Sequence, residues 1–149
     1  DFYTNVGDAR MKLEKHELLT RVFLPEASAG WTGVYRKMRI RGSIDYPLAG
    51  VAVALKKRNG HAGHVPGIED ARVAITAVNP APLLIPGATA ALTGRSAGEL
   101  EDAAIAVGEL AARTAKPLTT SALTPEYRRE MIRVFTKRAV LSAMLDASC

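Results

Sequence analysis

The sequence predicts an α+β fold, in which an antiparallel sheet of about four strands is followed by a helical layer packed on one face. Two observations predict this class. Segments with strand-like alternation occupy the first half of the 149 residues, and segments with helical periodicity and capping signals occupy the second half. Strands grouped before helices favour an antiparallel sheet over the alternating order of a parallel α/β fold. No repeat or linker interrupts the pattern, so residues 1–149 are predicted to form a single domain.

Four segments read as strands. Residues 18–25 are rich in apolar and β-branched side chains and end at a proline. Residues 34–41 alternate, with Val34 and Met38 on one face and charged residues on the other. Residues 48–56 place Val51, Val53 and Leu55 on one face and the small Ala52 and Ala54 on the other, which leaves room for close packing, most often by a helix. Residues 71–78 alternate in the same way.

The second half reads as three helices. A short one runs from about Pro86 to Leu92 and is closed by Gly94. Ser96 and Glu99 have the spacing of a capping box at the start of a second helix. A third helix is predicted to start with Thr124 as its cap and Pro125 at its first position, where no amide is lost. The predicted apolar stripe of the second helix is Leu100, Ala103, Ala104, Val107, Leu110 and Ala111, and that of the third is Tyr127, Met131, Val134, Phe135, Leu141 and Leu145.

Composition excludes several classes of protein. The formal net charge is +5, but aromatic content is only 5% and the basic residues are spread out, which argues against a single-strand nucleic-acid platform. The one cysteine, Cys149, excludes an internal disulfide and favours a reduced, cytoplasmic location. No apolar run approaches the roughly 18 residues needed to span a bilayer. The chain starts at Asp1 without a signal peptide or an initiator Met, which predicts a processed product or a fragment.

No motif for catalysis is present. The sequence lacks the glycine-rich phosphate loops and the nucleophile elbow, and Cys149 at the last position is a poor nucleophile. His61 and His64 are three residues apart in a glycine-rich loop. Two solvated loop histidines explain this spacing better than a metal site, because no cysteine is nearby. No metal site and no catalytic residue are therefore predicted.

Two features have both a structural and a functional interpretation. Tyr35, Lys37, Arg39 and Arg41 form a basic strand face, which is either solvated or a surface for an anionic group or a protein. Asp45-Tyr46-Pro47 lies at a bend between two strands. There the tyrosine either packs in the turn or covers a flat ligand at the mouth of the sheet.

Four stretches in order resemble the C-terminal domain of the FAD-binding subunit of molybdenum hydroxylases, the family of carbon monoxide dehydrogenase, xanthine dehydrogenase and 4-hydroxybenzoyl-CoA reductase. The longest is YRKMRIRGSIDYPLAGVAV (35–53), whose strand motif is most similar to that of 4-hydroxybenzoyl-CoA reductase. ELL (17–19), leading to LP (24–25), resembles the first strand of the domain. AITAVNPAP (74–82) resembles a later strand, and EYRREM (126–131) with KRAV (137–140) resembles the closing helix.

The resemblance implies a role in electron transfer. In this family a molybdenum-cofactor subunit transforms the substrate, an iron–sulfur subunit relays electrons, and FAD exchanges them with an external carrier. Glycine-rich segments of two N-terminal subdomains hold most of the FAD, and they are missing here. Residues 1–12 resemble the tail of the preceding subdomain. The chain alone is therefore expected to bind FAD weakly or not at all.

The resemblance also implies a flavin contact. The aromatic residue after the aspartate of the strand motif lies against the flavin ring in such relatives, and it corresponds to Tyr46, with Asp45 beside it. Lys37 is a looser candidate for an anionic contact. Tyr46 is then expected in an open, concave site, and burial in the core would exclude the role. The alternative is a non-enzymatic interaction domain that binds an acidic partner through Lys37, Arg39 and Arg41.

Overall fold

The computed structural model describes residues 2–4, 6, 11–42, 44–58, 67–119 and 122–145. Its strands are β1 (Trp31–Met38), β2 (Ala49–Arg58), β3 (Gly67–Thr76) and β4 (Leu83–Leu84). Its helices are α1 (Ala88–Leu92), α2 (Leu100–Thr114) and α3 (Pro125–Leu145), and a 3-10 turn, Glu26–Ser28, precedes β1. Strands come before helices, so the predicted α+β class is confirmed.

The four strands form one antiparallel sheet in the order β1-β2-β3-β4. Each strand pairs with the next along the chain, as short connections favour. Val53, on β2, lies between Val34 of β1 and Val73 of β3. These opposed β-branched side chains stabilise the sheet by packing across the strands.

The helices cover one face of this sheet. Val51, Val53 and Leu55 are at most 2% exposed and share the core with α3, which lies across β1 and β2. Helix α1 packs beside β3, and α2 packs on α3. The predicted helical layer on one face is confirmed. The prediction that a helix packs on the face of Ala52 and Ala54 is wrong, because the larger valine and leucine side chains bury more apolar area on the opposite face.

Residues 18–25 do not form the predicted strand. They are exposed along their whole length, and no described strand lies beside them. Strand propensity measures how well a side chain packs against cross-strand neighbours, and this segment has none here. The fourth strand of the sheet is instead Leu83–Leu84, which follows the Asn79-Pro80-Ala81-Pro82 stop signal and pairs with Ala74 and Ile75.

Helix α3 buries a face that only partly overlaps the predicted one, since Met131, Phe135 and Leu141 of the predicted stripe are half-buried against the core. Its buried residues are Arg128, Ile132, Thr136, Ala139, Val140 and Ala143. Tyr127 and Leu145 of the predicted stripe are 48% and 85% exposed. The buried face includes two polar residues, Arg128 and Thr136, so a search for apolar residues at helical spacing does not reveal it. Thr136 satisfies its hydroxyl by donating to the carbonyl of Ile132 at 2.7 Å, so its burial leaves that donor paired.

The helix ends follow the sequence signals in most respects. Thr124 Oγ1 accepts from the amide of Tyr127 at 3.2 Å, which confirms the predicted cap of α3. Five of the six predicted stripe residues of α2 are buried, and Leu110 is half-buried. The predicted capping box is only half formed. Glu99 accepts from the amide and hydroxyl of Ser96, but α2 starts at Leu100, so the serine does not cap the helix.

Candidate functional site

The loop between β1 and β2, here called the bend loop (39–48), is organised around one carboxylate. The amide of Leu48 donates to the carbonyl of Met38 at 2.8 Å, which closes the loop at its base. Asp45 accepts from the amide of Arg41 at 3.0 Å, from the Arg41 guanidinium at 3.3 Å and from the amide of Tyr46 at 2.9 Å. The Asp45 side chain is 15% exposed. It therefore holds the backbone on both sides of the loop tip.

Among the described residues of this loop, three large hydrophobic side chains are exposed, the first being Ile40 at 61%. Ile44 is 95% exposed and Tyr46 is 87% exposed. The ring of Tyr46 is thus accessible, and the burial that would exclude a ligand role is absent. The expected concave site is not formed around it by the described residues. A ring with this exposure projects into solvent, and the depression on the sheet is lined by other residues, among them Tyr35 and Arg72.

Lys37 lies on β1, one residue before the strand ends, and faces away from the helices. Its backbone partner across the strands is Gly50. The predicted basic strand face is wrong as a continuous surface, because β1 ends at Met38. Tyr35 and Lys37 lie on the face of the sheet that the helices leave uncovered, here called the open face. Arg41 lies in the bend loop and pairs with Asp45.

Arg128, at the start of α3, ties the bend loop to the rest of the domain. It is 5% exposed. Its guanidinium donates to the carbonyls of Leu48 at 2.8 Å, Leu118 at 3.1 Å and Ala77 at 2.6 Å. Leu48 is the last residue of the bend loop, and Ala77 holds a left-handed φ of 67° at the exit of β3. Burial lowers the pKa of Arg128, which stays charged at neutral pH.

No metal centre stands out among the described residues. No group of three or more His, Cys, Asp or Glu side chains in these ranges is arranged to hold a metal ion. His61, His64 and Cys149 lie outside the described residues. The described helices also lack the combination of length and apolar character that crossing a bilayer requires.

Comparison with known families identifies the chain. The family described as the CO dehydrogenase flavoprotein C-terminal domain matches residues 33–143. The chain belongs to this family. The match starts in β1 and ends in α3, so it coincides with the part of the chain that forms the sheet and the helical layer. Residues 18–25, which the structure leaves outside the sheet, also lie outside the match.

Solved structures agree with this flavoprotein C-terminal domain. Reconstituted CO dehydrogenase from Oligotropha carboxidovorans is 27% identical with a TM-score of 0.75, over 95% of this chain and 46% of that one. CO dehydrogenase from Hydrogenophaga pseudoflava, in a form lacking the Mo-pyranopterin moiety of its cofactor, is 26% identical with a TM-score of 0.72, over 93% and 45%. Quinoline 2-oxidoreductase from Pseudomonas putida 86, at 23% identity and a TM-score of 0.66, shares the fold over 76% and 37%. The chain thus spans less than half the length of these relatives.

The sequence identified part of this site and missed the rest. Asp45 and Tyr46 do lie together at the tip of the bend loop, and Lys37 lies on the strand that leads into it. Arg128 was not among the predicted site residues. Arg128 precedes Ile132 and Thr136 at intervals of four residues along α3 and so shares their face, but this spacing alone does not indicate burial. A charged residue at such a position is normally assigned to the solvent face.

The bend loop is expected to respond to acid. Hydrogen bonds from the amide and then the guanidinium of Arg41 lower the pKa of Asp45 from its ordinary value of 3.8, although partial burial opposes them. A lowered pKa in the folded state means that the carboxylate stabilises the loop above about pH 4 and loses this effect as the pH falls through the folded-state value. A carboxyl NMR titration should give a midpoint below 3.8, with the amide shifts of Arg41 and Tyr46 following it.

The control for this titration is Asp45→Asn. In that variant the two amide signals should stop titrating in the same range. A wild-type midpoint at or above the ordinary value would contradict the hydrogen-bonded loop.

Proposed function

We propose that this chain is the C-terminal domain of the FAD-carrying subunit of a molybdenum-containing hydroxylase or dehydrogenase. In this proposal it covers the flavin ring with the bend loop and packs against the partner subunits. The protein would act in the cytoplasm with a molybdenum-cofactor subunit and an iron–sulfur subunit. Membership of the flavoprotein C-terminal domain family supports the proposal. So do the relatives named CO dehydrogenase and quinoline 2-oxidoreductase.

The observation that carries the flavin contact is the Tyr46 ring. It is 87% exposed on a loop whose backbone is held by Asp45 on both sides of the tip. A large aromatic ring gains little by facing water, and an ordered one provides a ready surface for a flat ligand. The isoalloxazine ring of FAD fits such a surface. Asp45 then positions the tyrosine, and Lys37 is the candidate for a contact with an anionic group.

This chain is proposed to contact the flavin ring, while other parts of the subunit hold the rest of the FAD. FAD accepts electrons and passes them to an external carrier when it is bound, and the protein contributes orientation and electrostatics. This chain has no glycine-rich segment that would hold the pyrophosphate. We therefore propose that the FAD-binding segments belong to N-terminal subdomains, with residues 1–12 as the tail of the one that precedes this domain. The particular resemblance to 4-hydroxybenzoyl-CoA reductase stays a prediction.

The test of the flavin contact is Tyr46→Leu in the FAD-loaded subunit. Aromatic stacking contributes about 0.5 to 1.5 kcal/mol, so an unequal stacking of the two redox states would shift the two-electron potential by up to about 30 mV. Loss of the ring should also raise the flavin fluorescence, because a stacked tyrosine quenches it. Potentiometric titration and steady-state fluorescence measure the two effects.

Tyr127→Leu is the matched control, since Tyr127 is 48% exposed on α3. It should leave both readouts at the wild-type values. If Tyr46→Leu and Tyr127→Leu gave the same potential and the same fluorescence as the wild type, Tyr46 would not contact the flavin. FAD titrated into the isolated chain should bind weakly or not at all.

The alternative of an interaction domain with a basic strand face loses support here. Of its predicted residues only Lys37 lies on β1, and Arg41 is paired within the bend loop.

A further inference from the structure

Residues 49–55 of β2 are apolar on both faces of the strand. Val51, Val53 and Leu55 lie under the helices, while Ala52 and Ala54 alternate with them on the opposite, half-buried face. An antiparallel strand with one solvated face usually carries polar residues on that face. Continuous apolar character is instead typical of a strand covered on both sides. The middle of the open face, at residues 50, 52 and 54 of β2, therefore has the composition of a buried surface.

Strand register shows how this face is built. Gly33 lies across from Ala54, and Ala52 lies across from Ala74. These four small residues form the floor of a trough of about 430 Å³, here called the open-face trough. Because no side chain on the floor extends beyond a Cβ atom, a neighbouring backbone or side chain can approach the sheet closely.

Large side chains border the floor. Tyr35 lies over Gly50, with its hydroxyl 2.8 Å from where a Cβ of Gly50 would be. At the other end the guanidinium of Arg72 lies 4.8 Å from the centre of the Trp31 ring. Tyr35 is 54% exposed and Leu84, on the β4 side, is 62% exposed. An apolar surface with exposed aromatic and leucine side chains marks an interaction site.

Two cations, Lys37 and Arg72, flank the trough. Within the described ranges, no carboxylate lies at ion-pair distance from Lys37 or Arg72, whereas the neighbouring Lys56 pairs with Glu69 at 2.6 Å. Lys37 and Arg72 are separated by four residues along the strands and by two strands across the sheet. Ordinary strand dimensions place their Cα atoms about 16 Å apart.

We propose that the open-face trough binds a partner polypeptide whose surface is apolar in the middle and carries carboxylates that meet Lys37 and Arg72. The spacing of the cations exceeds the reach of a small anion, and the floor offers no side-chain hydrogen-bonding group to orient one. A second copy of the chain is disfavoured, since a two-fold contact would bring Lys37 and Arg72 against their own like charges. The trough lies outside the bend loop and shares only Lys37 with the proposed flavin site, so the inference goes beyond the contact of Tyr46 with the flavin, although it rests on the partner subunits of the proposed function.

The first test is hydroxyl-radical footprinting of the chain, alone and assembled with the other subunits of its complex. Trp31 and Tyr35 should be oxidised roughly fivefold more slowly in the complex, because the centre of an interface excludes water. Equal oxidation in both samples would overturn the proposal. So would protection that rises with the concentration of the isolated chain, which would indicate a second copy as the occupant.

The second test concerns charge. The double variant Lys37→Glu with Arg72→Glu should weaken assembly about tenfold and remove most of its dependence on salt. The double variant Arg113→Glu with Lys116→Glu makes the same charge change on exposed residues at the end of α2 and should leave affinity within about twofold. Equal affinities for both variants would overturn the proposal, and circular dichroism verifies that each is folded.

If no subunit assembles with the chain, the proposed function fails as well. If a complex forms and leaves Trp31 and Tyr35 unprotected, only the trough proposal fails.

Discussion

Arg128→Met should lower the free energy of unfolding by about 4 kcal/mol, which is a large part of the stability of a domain of this size. The methionine replaces the apolar stem of the side chain but none of its donors. The carbonyls of Leu48, Leu118 and Ala77 then lose a charged hydrogen-bond partner in a place that water does not reach easily. Urea denaturation followed by circular dichroism measures the change.

Two further variants separate the hydrogen bonds of Arg128 from its charge. Arg128→Lys keeps the charge but, as a point donor, cannot reach three carbonyls at once, so it should recover only part of the loss. Arg129→Met removes the neighbouring guanidinium, which is 43% exposed and 3.8 Å from Glu126, and should cost less than about 1 kcal/mol. If Arg128→Met and Arg129→Met were equally stable, the three carbonyl contacts would not stabilise the fold.

Gly108→Val should lower the free energy of unfolding by about 3 kcal/mol through the contact between α2 and α3. Gly108 is buried where the two helices cross. A Cβ atom at this position would lie 2.9 Å from the carbonyl oxygen of Arg133, which belongs to the backbone of α3. The helices must move apart to admit it, and the buried side chains of the helical layer lose contact as they do.

The smaller change Gly108→Ala separates the effect of the close contact from that of helix propensity. Helix propensity alone would favour alanine by about 1 kcal/mol, so a net loss of stability would show that the close approach outweighs propensity. Gly98→Ala is the control, because a Cβ there meets no atom within 4 Å. Its effect should stay within about 0.5 kcal/mol. Thermal or urea unfolding of the three variants measures these effects, and a Gly108→Ala variant more stable than the wild type by the full gain in helix propensity, about 1 kcal/mol, would contradict the close contact.

The fold class could be predicted because the alternation of side chains along strands and the capping signals of helices are local features of the sequence. Val51, Val53 and Leu55 alternate along β2, and Thr124-Pro125 marks the start of α3 without reference to any other part of the chain. The predictions of individual strands were wrong where the local preference of a segment did not agree with the strands available to pair with it. Residues 18–25 have the composition of a strand but no strand to pair with among the described residues, whereas the two residues of β4 are too few to give a pattern.

In the candidate site too, the contacts between residues near in sequence were predicted and those between distant residues were not. Asp45 and Tyr46 are adjacent in sequence, and their motif pointed to a flat ligand at a bend. Arg128 is 80 residues from the carbonyl of Leu48 that it holds, so no local pattern could indicate that contact. The open-face trough combines residues of all four strands. Its alanines were noticed in the sequence, but the prediction that a helix covers them was wrong.

By itself, the sequence determined that the strands precede the helices, the alternation of side chains along β2, the cap of α3 and the position of Asp45 and Tyr46 in a bend. These depend on the alternation of side chains along a strand, their repeat around a helix and the conformational preferences of a few residues. Only the tertiary structure decided which face of the sheet the helices cover, that Arg128 is buried and that Tyr46 is exposed. Those outcomes depend on which distant surfaces bury the most apolar area while leaving every buried polar group a partner.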